Sequence, residues 1–272
     1  MSTGVAAVMA SPAYSRAMAA LAATHDRLDE ETIALQQIPA PYRGEAAKAA
    51  AYAAMLRESG LTDVTIDAEG NVTGIRKGTG PANSMVALVS HLDTVFALDT
   101  DLTVKRSGTR LNAPGIADNT RGVASHLALI RAMAAADARH ERDILFVGSV
   151  GEEGVGDLRG VKYLLGEGPY RSAIGTFIAF DGSTPGNVVD TAVGSRRYTI
   201  AFTGPGGHSY SAFGTVNPLY ALGAAMSAIS RIEVPRGSTY SVSLAGGGNS
   251  INAIPLEAWM QVDLRSTSPG DL

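Results

Sequence analysis

The chain has 272 residues, 45% of them hydrophobic and 18% charged, the balance of a globular protein with a sizeable core. Its net charge of −4 and the lack of a Lys/Arg run argue against nucleic acid as a partner. The absence of cysteine excludes disulfides, thiolate metal sites and a Cys nucleophile, and no uninterrupted apolar run is long enough to span a bilayer.

Met1 to Ala10 lacks a basic start, and its apolar run from Val5 is too short for a secretory leader. It reads as a disordered or helical lead-in, and the protein as cytoplasmic. Ser15 to Gln37 carries Met18, Leu21, Leu28, Ile33 and Leu35 in a mostly amphipathic helical pattern that ends before the Ile38-Pro39-Ala40-Pro41 turn. His25, beside Asp26 and Arg27, reads as a surface residue. A second helix is predicted from about Glu45 to Glu58, stopped at Gly60. Val64 to Ile66 and Val72 to Ile75 read as a hairpin around Ala68-Glu69-Gly70-Asn71.

Met85 to Val95 begins as a buried strand and ends in His91 and Asp93. Side chains two apart on a strand point the same way. The imidazole can therefore serve as a metal ligand while the carboxylate holds its far nitrogen. A loop rich in turn residues follows and carries Asp118, which taken alone would be a helix cap. Gly122 to Ala136 is predicted to be a helix with Val123, Leu127, Ile130 and Ala134 on one face. His126 within it and His140 after it read as packing or surface residues. Asp143 to Val150 is a buried strand ending in Gly151-Glu152-Glu153-Gly154. Val161 to Leu165 is a short helix, and Thr176 to Phe180 a strand ending in Asp181-Gly182.

Strands alternating with helices predict an α/β fold: an open, mostly parallel sheet flanked by helices. Ligands bind such sheets outside the carboxyl ends of the strands, and His91, Asp93, Glu152, Glu153 and Asp181 all fall there. After Gly186 the texture changes. Strands at Tyr198 to Thr203, Tyr240 to Leu244 and Ala258 to Leu264, with a helix at Pro218 to Arg231, give a β-α-β-β order. The predicted division is 1–186 and 187–272, the second part a small α+β module. One imidazole among several carboxylates suits a divalent ion such as Zn, Mn or Co. His91, Asp118, Glu152, Glu153 and Asp181 offer more donors than one ion needs, and two ions would account for the surplus.

His91-Leu92-Asp93, Gly115-Ile116-Ala117-Asp118-Asn119, Gly151-Glu152-Glu153-Gly154 and Phe180-Asp181-Gly182 resemble the successive signatures of the co-catalytic dizinc exopeptidases. That family includes peptidase T, carnosinase-type dipeptidases, glutamate carboxypeptidase and aminoacylase. The resemblance implies two zinc ions: His91 and Asp181 on the first, Glu153 on the second, Asp118 bridging them. It further implies that Asp93 orients His91, that Glu152 is the general base, and that an uncommon cis peptide follows Asp118. The later module resembles the family's lid or dimerisation domain, ferredoxin-like and incomplete here, so a homodimer is expected. In it, Gly204-Pro205-Gly206-Gly207-His208 would bring His208 to the scissile carbonyl, and Asn252 and Arg265 match substrate-binding positions. Asp at 181 points to aminopeptidases or di- and tripeptidases acting on small peptides. The alternatives are an N-acyl amino-acid amidohydrolase, or a catalytically silent metal-binding fragment, since the family's last His ligand has no counterpart after the lid helix.

Overall fold

The computed structural model describes residues 3–80, 84–182 and 186–272, which fall into two compact units, 1–185 and 186–272. Residues 1 and 2 of the expected lead-in lie outside the described residues. The first unit opens with α1 (Thr3–Met9), α2 (Pro12–Ala23), α3 (His25–Gln36) and α4 (Ala46–Glu58). The single helix expected over 15–37 is broken at Thr24. There the backbone leaves helical angles (φ −110°, ψ 20°) and the hydroxyl donates to the Ala20 carbonyl at 2.8 Å. A threonine bonded back to the preceding turn bends its helix.

The expected hairpin is β1 (Thr62–Ile66) and β2 (Val72–Arg76), its turn held by Asp67, whose carboxylate accepts the N–H groups of Glu69, Gly70 and Asn71. Then come β3 (Met85–His91) and a small hairpin, β4 (Lys105–Ser107) and β5 (Arg110–Asn112), inside what read as a loop. Its three-residue polar strands carry no apolar alternation to reveal them. The unit closes with α5 (Arg121–Ala135), β6 (Asp143–Ser149), α6 (Arg159–Gly166) and β7 (Ile174–Ala179).

These strands form one sheet in the order β1-β2-β6-β3-β7. Both β6 and β7 run parallel to β3, while β2 is antiparallel to β6 and β1 to β2. The sheet is therefore mixed. A hairpin connection is too short for a crossover, so β1 and β2 must be antiparallel to each other. Leu88 and Phe146 pack on one face against Leu35, Tyr52, Leu56, Leu127 and Ile130 of α3, α4 and α5. Ala87, Val89, Leu145 and Val147 face the other way, towards Leu164 of α6. Burial on both faces is why these strands read as unbroken apolar runs. Because β3, β6 and β7 are parallel, the residues following each strand emerge at one edge of the sheet.

The second unit contains β8 (Gly194–Thr203), β9 (Gly207–His208), α7 (Pro218–Ile229), β10 (Ser238–Gly247), β11 (Ala253–Ile254) and β12 (Glu257–Ser266). The long strands make an antiparallel sheet in the order β10-β12-β8, and β9 pairs with β11. Leu222 of α7 packs on Ala258, Met260 and Val262 of β12. Asn217 caps α7 by accepting the Leu219 N–H at 3.0 Å. No helix among the described residues is long and apolar enough to cross a membrane.

Candidate metal centre

His91, the last residue of β3, is buried, and its Nδ1 lies 2.9 Å from the Asp93 backbone carbonyl. Nδ1–H donates to that oxygen, so Nε2 faces outward. Nε2 is 2.8 Å from Asp118 Oδ1 and 3.6 Å from Asp181 Oδ1. Burial alone would depress the imidazole pKa, but Asp181, Asp93 and Glu152 outweigh it and push it up to about 9. In the metal-free chain the ring is thus held protonated by the surrounding acids.

The role expected for Asp93 differs in its atoms. Its carboxylate stands 3.8 Å from Nδ1, and the backbone carbonyl takes the imidazole proton instead. The two carboxylate oxygens accept the backbone N–H groups of Glu152 and Glu153, each at 3.0 Å. Backbone amides at the β6 end point straight at this carboxylate, whereas a strand-end imidazole reaches the nearer main-chain oxygen. Asp93 therefore holds the β3 end to the Glu152–Glu153 loop.

Asp118 lies just ahead of α5, and its bond to Asn119 is cis, as the resemblance implied. The Asn119 side chain donates from Nδ2 to the Phe180 carbonyl at 2.7 Å. Gly182 lets the segment after β7 lie against this loop, since a Cβ there would sit 2.8 Å from the Ala117 carbonyl oxygen and from Asp118 Cβ. A second set of bonds fixes the loop from behind. The buried Lys48 ammonium donates to Thr120 Oγ1 at 3.0 Å, Thr120 donates to Gln36 Oε1 at 2.8 Å, and Gln36 Nε2 donates to the Pro114 carbonyl at 2.6 Å. Burial lowers the Lys48 pKa to about 8 against the pull of Asp93. The sequence reading missed Lys48, Gln36 and Thr120, because a lysine in an Ala-rich helix looks solvated.

Ligand atoms of His91, Asp118 and Glu153 all lie within 4.8 Å of one another. Burial, then repulsion from its acidic neighbours, raises the Glu152 carboxyl pKa, with His91 opposing; Glu153 behaves alike, with Asp118 as the main repelling group. Asp181 moves the other way, lowered chiefly by its bond to His91. Donors on one tetrahedral zinc, at about 2.0–2.2 Å from it, sit roughly 3.3–3.6 Å apart. The His91–Asp181 separation of 3.6 Å meets that, while His91 and Asp118, at 2.8 Å, are directly hydrogen-bonded in the metal-free chain. The donor set fits a divalent metal.

Arg159 braces the same edge from below, bonding Glu45 Oε1 at 2.6 Å and Glu69 Oε1 at 2.5 Å, while its backbone N–H donates to the Gly151 carbonyl at 3.0 Å. In the second unit, exposed His208 sits opposite Ala253 in the β9–β11 pair, and its Nδ1 accepts the Tyr210 N–H at 3.2 Å. The neighbouring Asn252 carbonyl accepts the Ser209 N–H at 2.9 Å, so His208 and Asn252 share one corner. Arg265 does not join them. It lies at the far end of β12, some 25 Å along the strand from Glu257, and bonds Asp263 at 2.8 Å.

Residues 71–205 match the family model described as peptidase family M28, and residues 191–272 match the peptidase dimerisation domain. A 52-residue stretch is 48% identical to a peptidase T-like protein of Rhizobium meliloti strain 1021, covering 19% of this chain and 13% of that relative. Aminopeptidase PepT from Bacillus cereus ATCC 10987 aligns with a TM-score of 0.67 and 21% identity over 90% of this chain and 67% of its own. The Bacillus subtilis YXEP protein, described as a dinuclear metal-binding peptidase of the M20 family, aligns with a TM-score of 0.60 and 17% identity over 91% and 66%. The chain thus spans about two thirds of these solved structures, whose likeness at such identities is one of fold. With the two family models meeting in sequence over the site loops and the second unit, the chain belongs to the M20/M28 co-catalytic metallopeptidase family, and one stretch of it is similar to a peptidase T-like protein.

Proposed function

We infer that this chain is a metal-dependent exopeptidase of the aminopeptidase or di- and tripeptidase type, cleaving small peptides beside a free α-amine. The observation that carries this is the gathering of His91, Asp118 and Glu153 donors within 4.8 Å, with Glu152 beside them. In this reading His91, Asp118, Glu153 and Asp181 hold two divalent ions, zinc first and manganese or cobalt as substitutes. Such ions supply Lewis acidity, lowering the pKa of a water and drawing charge from a carbonyl oxygen.

The chain's own groups do the rest. Glu152, its affinity for a proton raised by burial and by the other acids, takes a proton from water and returns it to the departing amine. Asp93 keeps that carboxylate in place through the Glu152 N–H. His208 carries the carbonyl oxygen through its Nε2–H, since Nδ1 is already an acceptor. Asn252, at the His208 corner, is assigned to substrate, whereas Arg265, bonded to Asp263 towards the other end of β12, is not. The division into a catalytic part and a lid or dimerisation part, a homodimer formed through the second, and a cytoplasmic setting belong to the same reading.

The test is a panel of dipeptides, tripeptides and N-acyl amino acids, assayed with metal analysis. Turnover confined to peptides with a free α-amine supports the reading, turnover confined to acylated substrates transfers it to an amidohydrolase, and bound metal without turnover makes the chain catalytically silent. Glu152→Gln should keep its metal and lose about 10²–10⁴-fold in kcat; unchanged turnover would remove Glu152 as the base.

A further inference from the structure

Beneath the site lies a polar group that the mechanism above does not use. Tyr52, Ser90, Asn119 and His126 are all buried among apolar side chains. Tyr52 Oη is 2.9 Å from His126 Nδ1, His126 Nε2 is 3.3 Å from Ser90 Oγ, and Ser90 Oγ is 2.9 Å from the Phe180 carbonyl oxygen. The rings of Phe146 and Phe180 meet the imidazole edge-on at 5.6 and 5.2 Å.

Counting protons fixes the direction of this chain. A carbonyl oxygen only accepts, so at 2.9 Å the Ser90 hydroxyl proton must lie towards Phe180. Ser90 Oγ can then meet His126 only as an acceptor, which puts the imidazole proton on Nε2. Burial drives the His126 pKa down to about 3, so the ring is neutral and its Nδ1 is bare. Tyr52, whose own pKa burial raises, supplies the proton that Nδ1 accepts. Any other assignment leaves two acceptor atoms, oxygen with oxygen or oxygen with ring nitrogen, facing each other with no hydrogen between them.

The Phe180 carbonyl at the end of the chain also accepts from Asn119 Nδ2 at 2.7 Å. The three groups that meet at this oxygen are each the immediate neighbour in sequence of an assigned ligand: Ser90 precedes His91, Asn119 follows Asp118, and Phe180 precedes Asp181. We propose that Tyr52, His126 and Ser90 form a one-way hydrogen-bond chain that positions the ligands of the metal centre by anchoring the Phe180 carbonyl, with Ser90 and His126 as positioning residues. The inference rests on the metal-centre reading above. The chain joins α4, α5 and β3 to the end of β7, so it sets how far Asp181 stands from His91 and Asp118 before any cation arrives.

Zinc alone is the probe, titrated against a chromophoric chelator into the 272-residue chain. Ser90→Ala should weaken zinc binding about tenfold or more, as loss of an outer hydrogen bond does at metal sites, and Ser90→Thr, which keeps the hydroxyl, should restore it to within about threefold. Leu164→Ala, in the cluster on the other face of the sheet, serves as the control that loses stability without touching this chain; its zinc affinity should match wild type. Nitrogen-15 NMR of the histidine-labelled, metal-free chain should show His126 as the Nε2–H tautomer at pH 6 and at pH 8. Ser90→Ala binding zinc as wild type does, Leu164→Ala binding as weakly as Ser90→Ala, or an Nδ1–H His126 overturns the proposal. Wild type that binds no zinc overturns the metal-centre reading itself and the role given to the chain with it.

Discussion

Asp93 shows how much one side chain can carry. Its carboxylate accepts two backbone N–H groups while its own carbonyl holds His91, so a single buried residue ties together β3 and the loop bearing Glu152 and Glu153. In Asp93→Asn an amide NH₂ must face one of those N–H groups. Hydrogen bonds to a charged group contribute about 1.5–3 kcal/mol. The variant should lose about 2–3 kcal/mol in urea unfolding and bind zinc at least about tenfold more weakly. His126 sets a pH limit on the metal-free chain. The folded ring stays neutral down to about pH 3, while the unfolded ring protonates below its ordinary pKa of about 6.5. The unfolded state therefore binds more protons across that window, and stability present above pH 6.5 is lost as the pH falls, by up to about 1.4 kcal/mol per unit. Urea midpoints measured at pH 7, 6 and 5 should show this slope in wild type and a shallower one in His126→Gln.

Among the elements, the meeting of the β7 end with the loop before α5 decides whether Asp181 and Asp118 can share a centre. That approach depends on Gly182 having no side chain, because a Cβ would press on the Ala117 carbonyl and on Asp118 itself. Gly182→Ala should force the two segments apart and weaken zinc binding about tenfold. Gly182 is exposed and stands outside the apolar clusters, so the variant's melting midpoint should shift little; a large loss of midpoint with zinc affinity intact would reverse this assignment. The helix around His126 makes the same point differently. Of the apolar face expected from Val123, Leu127, Ile130 and Ala134, the first three pack on the sheet while Ala134 is exposed, and the histidine among them bonds Tyr52 and Ser90. Periodicity identifies which face is buried but not which polar groups meet there.

In the whole molecule, β7 is the outer strand of the first unit's sheet, with Phe177 39% and Ile178 45% exposed. An apolar edge strand with unpaired main-chain groups is a template for pairing with another chain. This chain should therefore self-associate with rising concentration through β7, separately from any pairing through the second unit. Ile178→Lys should reduce that association in sedimentation velocity without changing zinc affinity.

Read alone, the residues identified the alternation of strands and helices, the change of texture near Gly186, and the four short motifs whose acids and imidazole gather at one sheet edge. These are local signals: apolar periodicity, turn residues and strand-end polar groups survive in a one-dimensional string. Tertiary structure alone decided that the Asp93 carboxylate binds two amides while its main-chain carbonyl takes the imidazole, that Lys48 and Gln36 brace the Asp118 loop, and that Arg265 stands apart from His208. Each of those depends on which buried donors face which acceptors across distant segments, and hydrogen-bond partners are set by packing in three dimensions, not by spacing along the chain.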